Sequence, residues 1–309
     1  MVLKYLFAPE GFLWPKNALF FGVAALSWWL LVRFSGGLAQ AASLEVGWIA
    51  TLYLHNTLIM LLFAGIPHLR LYTRRAQERR YKYHPSWLST DNPVFMFRNQ
   101  TLDNLFLTMV PGVLIWTTFQ AFLLWGYANG MWMTVTWQSH PIYATALVVL
   151  ILPWRSFHFY WIHRLIHWKP LYKSVHYVHH KNVNVGPWSG IAMHPVEQAI
   201  YFSVVLLVLV IPAHPLHMFF ILAHAALAAT TDHSGFDRIE LGAKASVAHA
   251  SYFHYLHHRY FDCNYGGPAM PLDLWFGSFH DGSQEGHAAM RERHRRLKAA
   301  RRGRGGQAA

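Results

Sequence analysis

The sequence predicts an all-α integral membrane protein: about four transmembrane helices, a short helical hairpin, and a histidine-rich helical cap on the cytoplasmic side. Three observations predict it. Of 309 residues, 54% are hydrophobic and only 13% charged, where a soluble domain carries about 25% charged residues. Several apolar runs approach the roughly 20 residues that a helix needs to cross a bilayer. The chain also has 22 histidines. Most of them fall between His158 and His258, and histidine at such density in a membrane protein requires a reason. This composition excludes a disordered chain, a disulfide-stapled secreted module and a coiled coil.

Taken in order, Asn17 to Phe34 reads as the first span and Gly47 to Ile66 as the second. Leu102 to Trp125 is the third, with a kink expected at Pro111. Ile142 to Trp161 is the fourth, expected to break near its inner end at Pro153 and Arg155. Ala199 to Ile211 and Leu216 to Thr230 are shorter and meet at a turn from Pro212 to Pro215. Runs of that length suit a re-entrant hairpin that does not fully cross. The chain therefore divides into an N-terminal membrane region (1–140), a histidine-rich region (141–282) and a basic, disordered tail (283–309).

Net charge is +12, and it is concentrated. Arg70, Arg74, Arg75, Arg79, Arg80 and Lys82 form one cluster; Arg291 to Arg304 form the other. Outside them, 12 basic residues face 12 acidic ones. Clusters beside apolar segments fit topology and anionic lipid rather than nucleic acid, which is not an expected partner. The loops from Ser35 to Val46 and from Gly126 to Pro141 lack Lys and Arg. The basic clusters, the histidine-rich stretch and both termini are thus expected on the cytoplasmic side of a bacterial inner membrane, or of the endoplasmic reticulum in a eukaryote. Lys4, Lys16 and the apolar run after them could pass for a signal peptide, but a retained anchor preserves the alternating topology.

Cys263 is the only cysteine, so thiolate zinc sites and iron–sulfur clusters are excluded within one chain. Histidine carries the chemistry instead. His163 and His167 lie at i, i+4, on one helical face. His176, His179 and His180 follow at i, i+3, i+4, and His254, His257 and His258 repeat that spacing. Three buried imidazoles on one face need hydrogen-bond partners, and would repel one another if charged; a cation resolves both difficulties. His233 is expected to join them as a ligand. His194, Glu197, Asp232 and Asn264 are candidates for orienting the ligands, His194 alternatively for starting a helix. The nine imidazoles exceed what one four-coordinate zinc can use, and two ions sharing them would take four or five each. Imidazole suits iron, copper, zinc and nickel, so ligand type leaves the metal open.

Location narrows the chemistry: sites at the membrane surface favour a lipid as the substrate. At these boxes the sequence resembles the fatty acid hydroxylase superfamily, which includes sterol desaturases and sterol methyl oxidases. The resemblance covers roughly Leu150 to Phe279. It rests on the three boxes in order, with Asn184, Pro187-Trp188 and His194-Pro-Val-Glu197 between them, and on His233-Ser-Gly, Asn264-Tyr265-Gly266 and Leu272-Asp273 further along. It implies two non-haem iron ions held by His163, His167, His176, His179, His180, His254, His257, His258 and His233. It also implies molecular oxygen as co-substrate, a lipid that is hydroxylated or desaturated, and a separate electron-donor protein. Two other functions compete. A metal-cation transporter would place ionisable residues at the bilayer midplane. A zinc-dependent lipid hydrolase would need a carboxylate base, for which Glu197, Asp232 and Asp237 are the local choices.

Overall fold

The structure, a computed structural model, describes residues 15–305 apart from 243, 268 and 269. Lys4 and residues 306–309 lie outside the described residues. Four helices are long and apolar enough to cross a membrane: α1 (Pro15–Phe34), α2 (Val46–Thr73), α3 (Gln100–Ala128) and α4 (Pro141–Ile166). A short interrupted helix α5 (169–180) follows. Then come α6 (Pro195–Leu209), whose second half is 3₁₀-helical, and α7 (Pro215–Asp232). A ribbon of β1 (Arg238–Glu240) and β2 (Ser246–Ala248) leads to α8 (Tyr252–Tyr260), α9 (Leu272–Trp275) and α10 (Gln284–Gly305). The architecture is thus the helical membrane fold expected, with one small antiparallel ribbon added.

α7 is the axis of the bundle. From Met218 to Thr231 every residue is buried, as befits a helix that is apolar all round. It packs against α1 on one side and against α3 and α4 on others. The hairpin of α6 and α7 therefore lies within the four long helices, whose outward faces carry exposed Leu19, Leu54, Leu58, Leu114 and Leu150.

The two prolines behave differently. Pro111 has no N–H to give the carbonyl of Leu107, four residues back. The helix widens there into a π-turn (Thr108–Gly112), and the Gln198 side-chain amide on α6 donates to that carbonyl at 3.0 Å. The same Nε2 also donates to Ile191 O at 3.0 Å. At Pro153 the expected break does not occur: α4 runs unbroken from Pro141 to Ile166. Just past the proline, Trp154 Nε1 donates to Val204 O at 3.0 Å and Arg155 Nη2 to Tyr201 Oη at 3.1 Å. These bonds fasten the helix to α6 where it would otherwise part, the usual way a membrane helix tolerates proline.

The tail is the second correction. Instead of a disordered end, Gln284–Gly305 is helical. Ala and Arg are good helix formers, and one face is anchored. Met290 is buried with Leu256, Tyr260 and Cys263, and His287 Nδ1 lies 2.8 Å from Tyr260 Oη. Arg293 pairs with Asp262 at 3.2 Å.

The contacts also sort the two ends of the bundle. Met133 O accepts from Ala213 N at 3.0 Å, joining the turn of the hairpin to the loop after α3. At the opposite end Lys16 Nζ meets Asp232 Oδ1 at 2.7 Å, and Arg80 pairs with Glu240. The histidine boxes lie at this second end, with the first basic cluster. If Gln198 closes the gap left by Pro111, Gln198→Leu removes that donor from Leu107 O and leaves Ile191 O only its bond from Met193 N, and should lower stability by about 1–2 kcal/mol. Unfolding in detergent would measure it, and Pro111→Ala in that background should restore part of the loss by returning an N–H to Leu107 O.

Candidate metal centre

Box one straddles the end of α4: His163 sits in its last turn and His167 is its C-cap. Box two ends α5, where His176 closes a π-turn (Tyr172–His176) and His179 and His180 follow. Box three is the body of α8, whose N-cap Ser251 accepts from His254 N at 3.2 Å. His233 caps α7.

Four ring nitrogens fix the chemistry. Nδ1 of His163 donates to Tyr265 O at 2.6 Å, Nδ1 of His257 to Cys263 O at 2.6 Å, and Nδ1 of His233 to Ala229 O at 2.7 Å. Nδ1 of His176 donates to Glu197 Oε1 at 2.7 Å. A carbonyl only accepts, so Nδ1 of His163, His257 and His233 carries the proton and Nε2 presents a lone pair, and an ionised Glu197 imposes the same on His176. Those Nε2 atoms converge. His167 Nε2 lies 3.0 Å from His176 Nε2, 3.1 Å from His180 Nε2 and 3.1 Å from His257 Nε2. His257 and His180 Nε2 are 3.0 Å apart. In a second group His233 Nε2 lies 3.0 Å from His258 Nε2 and 3.3 Å from His179 and from His254.

The nine imidazoles expected from the sequence thus fall into two sets: His163, His167, His176, His180 and His257; and His179, His233, His254 and His258. The boxes divide in a reciprocal way. In box two the i, i+4 pair joins the first set and the middle histidine the second. In box three the pair joins the second set and the middle one the first. Neighbouring ligands about 2.1 Å from a common ion lie about 3 Å apart, which is the spacing found. Without an ion, ring protons cannot satisfy every Nε2 in the His167–His180–His257 triangle, nor all three neighbours of His233 Nε2, so the residues present fit a pair of cations.

Burial supports the neutral form. It pushes His176, His179, His180, His254, His257 and His258 well below the usual imidazole range, and the neighbouring rings push further. Burial lowers His233 to about 4 against the opposing pull of its bond to Ala229. The Glu197 carboxyl is pushed up by the same burial, and positive charge among the rings would counter that.

The orienting candidates separate. Glu197 holds His176, and His194 instead starts α6, its Nδ1 accepting from Val196 N at 3.2 Å. Asp232 binds Lys16 rather than an imidazole. Asn264 touches no ligand. It adopts φ 53°, accepts from His280 N at 2.7 Å and donates to Phe253 O at 3.0 Å. That turn aims the flanking carbonyls of Cys263 and Tyr265 at His257 and His163. Asp273 fixes the turn from the other side, accepting from Tyr265 N and Gly266 N, both at 2.8 Å.

Sequence reasoning missed how α3 holds box two. Gln100 and Asn104 donate to Asn182 Oδ1 at 2.9 and 2.7 Å, and Lys181 pairs with Asp103 at 3.1 Å. A polar i, i+3, i+4 set opening an otherwise apolar helix was the available signal. It also missed Gly190, where a Cβ would lie 2.6 Å from the backbone of Ala229, the residue that anchors His233. Outside the boxes, His217, His224 and His280 are buried as well.

One cavity adjoins both sets. Its wall includes His163 and His176 of the first and His179, His233 and His254 of the second, with Phe159, Ile162, Ile166, Met193 and Tyr201 supplying apolar surface. Residues 147–278 match the fatty acid hydroxylase family, and all nine histidines fall inside that span. These residues form a fatty acid hydroxylase domain. The hydroxylase domain is similar to sterol-modifying relatives. Identity is 34% over 158 residues with a Delta(7)-sterol-C5(6)-desaturase of Nicotiana tabacum, covering 49% of this chain and 54% of that protein. It is 29% over 163 residues with a Delta(7)-sterol 5(6)-desaturase of Aspergillus fumigatus, covering 52% and 44%. A Gibberella zeae desaturase shares 34% over 133 residues, covering 42% and 40%. The chain spans about half the length of these curated relatives or less. No solved structure matches it.

Three outcomes follow. His257→Ala and His258→Ala each remove one ligand from a different set, and each should lower bound metal from two ions per chain toward one, read by elemental analysis. Asp273→Asn, which touches no ion, should weaken metal affinity about 10- to 100-fold through the loosened turn. In the metal-stripped protein, rings held neutral below their unfolded value of about 6.5 resist protonation while the unfolded chain accepts it. Stability should therefore be full above pH ~6.5 and fall as the pH drops toward 4, measurable as a declining unfolding midpoint.

Proposed function

We propose that the chain is a membrane-bound oxidoreductase that holds two iron ions in the two imidazole sets and uses molecular oxygen to hydroxylate or desaturate a C–H bond of a lipid. The observation that carries this reading is the division of nine imidazoles, eight of them buried and His167 half-buried, into a five and a four beside one apolar-walled cavity. The fatty acid hydroxylase domain and its desaturase relatives support oxidation rather than hydrolysis or transport. The ions would supply an oxidant made from oxygen and two electrons, which a separate donor protein must deliver.

The rest is the work of the chain's own residues. The Nδ1 bonds of His163, His176, His233 and His257 lock each ring with its Nε2 aimed inward, so no reorientation is needed on loading. Phe159, Ile162, Ile166 and Met193 offer a carbon chain a dry surface beside the rings and keep water from a reactive centre. Hydroxylation and desaturation share the first hydrogen abstraction, and the placement of the second carbon decides between them. We assign residues 141–282 to catalysis and 1–140 to the membrane scaffold. The basic cluster at the same end as the boxes supports a cytoplasmic active site by the positive-inside rule.

Lipid extracts from a host with and without the chain should differ by a gain of one oxygen or a loss of two hydrogens, detected by mass spectrometry and dependent on oxygen. The product should vanish with His180→Ala. An unchanged lipid profile in iron-replete, aerated cells would overturn the reading.

A further inference from the structure

Arg155 lies on α4 eight residues before His163, about 12 Å back along the axis and toward the bilayer. Ser156, Phe159, Ile162 and His163 recur at helical spacing and line the same cavity with it, so guanidinium and imidazoles border one space. Its side-chain partner is the Tyr201 hydroxyl, accepting from Nη2 at 3.1 Å, while Nε is buried without an acceptor. No carboxylate among the described residues pairs with it. Of the two that border the cavity, Glu197 meets His176 through Oε1 while its Oε2 has no partner, and Asp232 pairs with Lys16.

A guanidinium presents five donors in a planar fork that matches the oxygens of a carboxylate or phosphate. Leaving that fork short of acceptors away from water is costly, and charges retained inside membrane helices mark substrate sites by default. Tyr201 holds the fork in place, since its own hydroxyl donates to Ala225 O at 2.7 Å on α7. We propose that Arg155 receives the oxyanion end group of the lipid, a carboxylate or a phosphate. The distance from this anchor to the imidazole sets then selects the carbon that is attacked. Tyr201 acts as a positioning residue. This rests on the reading that a lipid occupies the cavity, but not on turnover.

The test measures binding to the purified, iron-loaded full chain in nanodiscs. Hexadecanoate and hexadecyl phosphate are the oxyanion probes, which distinguish the two sources, and hexadecanol is the neutral probe of equal length. At least one oxyanion should bind about tenfold or more tightly than the alcohol. Arg155→Gln should abolish that preference and Arg155→Lys should keep part of it. Iron per chain should stay constant, because Arg155 belongs to neither imidazole set. Equal binding of all three probes by the parent chain overturns the proposal even if the variants do not fold, and so does a preference that survives Arg155→Gln. A preference found without any oxygen-dependent lipid product would sink the oxidoreductase reading and leave this one standing; product without preference would do the reverse.

Discussion

The structure turns on unshared electron pairs that face one another. Nine imidazoles gather at one end of a helical bundle, all but the half-buried His167 fully buried, and the ones whose outer nitrogen is tied to an acceptor must direct a lone pair inward. His167, His180 and His257 Nε2 form a triangle with edges of 3.0–3.1 Å in which ring protons cannot satisfy every edge, so an apolar interior would not gather them for packing alone. The surrounding structure is arranged to keep the rings in place: a carboxylate behind His176, and main-chain carbonyls behind His163, His233 and His257.

Those supports come from distant parts of the chain. The carbonyls of Cys263 and Tyr265 are held by Asn264 and Asp273, and box two is moored to the start of α3 through Asn182 and Lys181. α7 delivers His233 from the middle of the bundle, and Gly190 lets a neighbouring loop press against the turn that carries it. The membrane helices are thus more than an anchor. α4 carries the first box on its last turn, and α3 fixes the second. This links the hydrophobic part of the sequence to the geometry of the polar part.

Much of this was legible in the sequence because it rests on periodicity. The i, i+3, i+4 spacing identified eight of the nine converging histidines, and the Asp-His-Ser-Gly after the hairpin identified the ninth. Hydropathy gave the four long helices. What periodicity does not report is tertiary rescue. Pro153 looks like a break until Trp154 and Arg155 are seen bonded to α6, and the tail looks disordered until Met290 and His287 are seen against α8. Spacing also could not apportion the ligands, because the division depends on where three separate helix ends meet.

That division has a consequence for the two centres. His179 and His180 are adjacent on one helix yet face different sets, as are His257 and His258, and in both pairs the ring centroids are 5.7 Å apart. The gap between the sets is therefore ruled by the angular step from one residue to the next on a helix, and it needs no bridging carboxylate to maintain it. Any rotation of α5 or α8 would open one set as it crowds the other, so the pair behaves as a single mechanical unit.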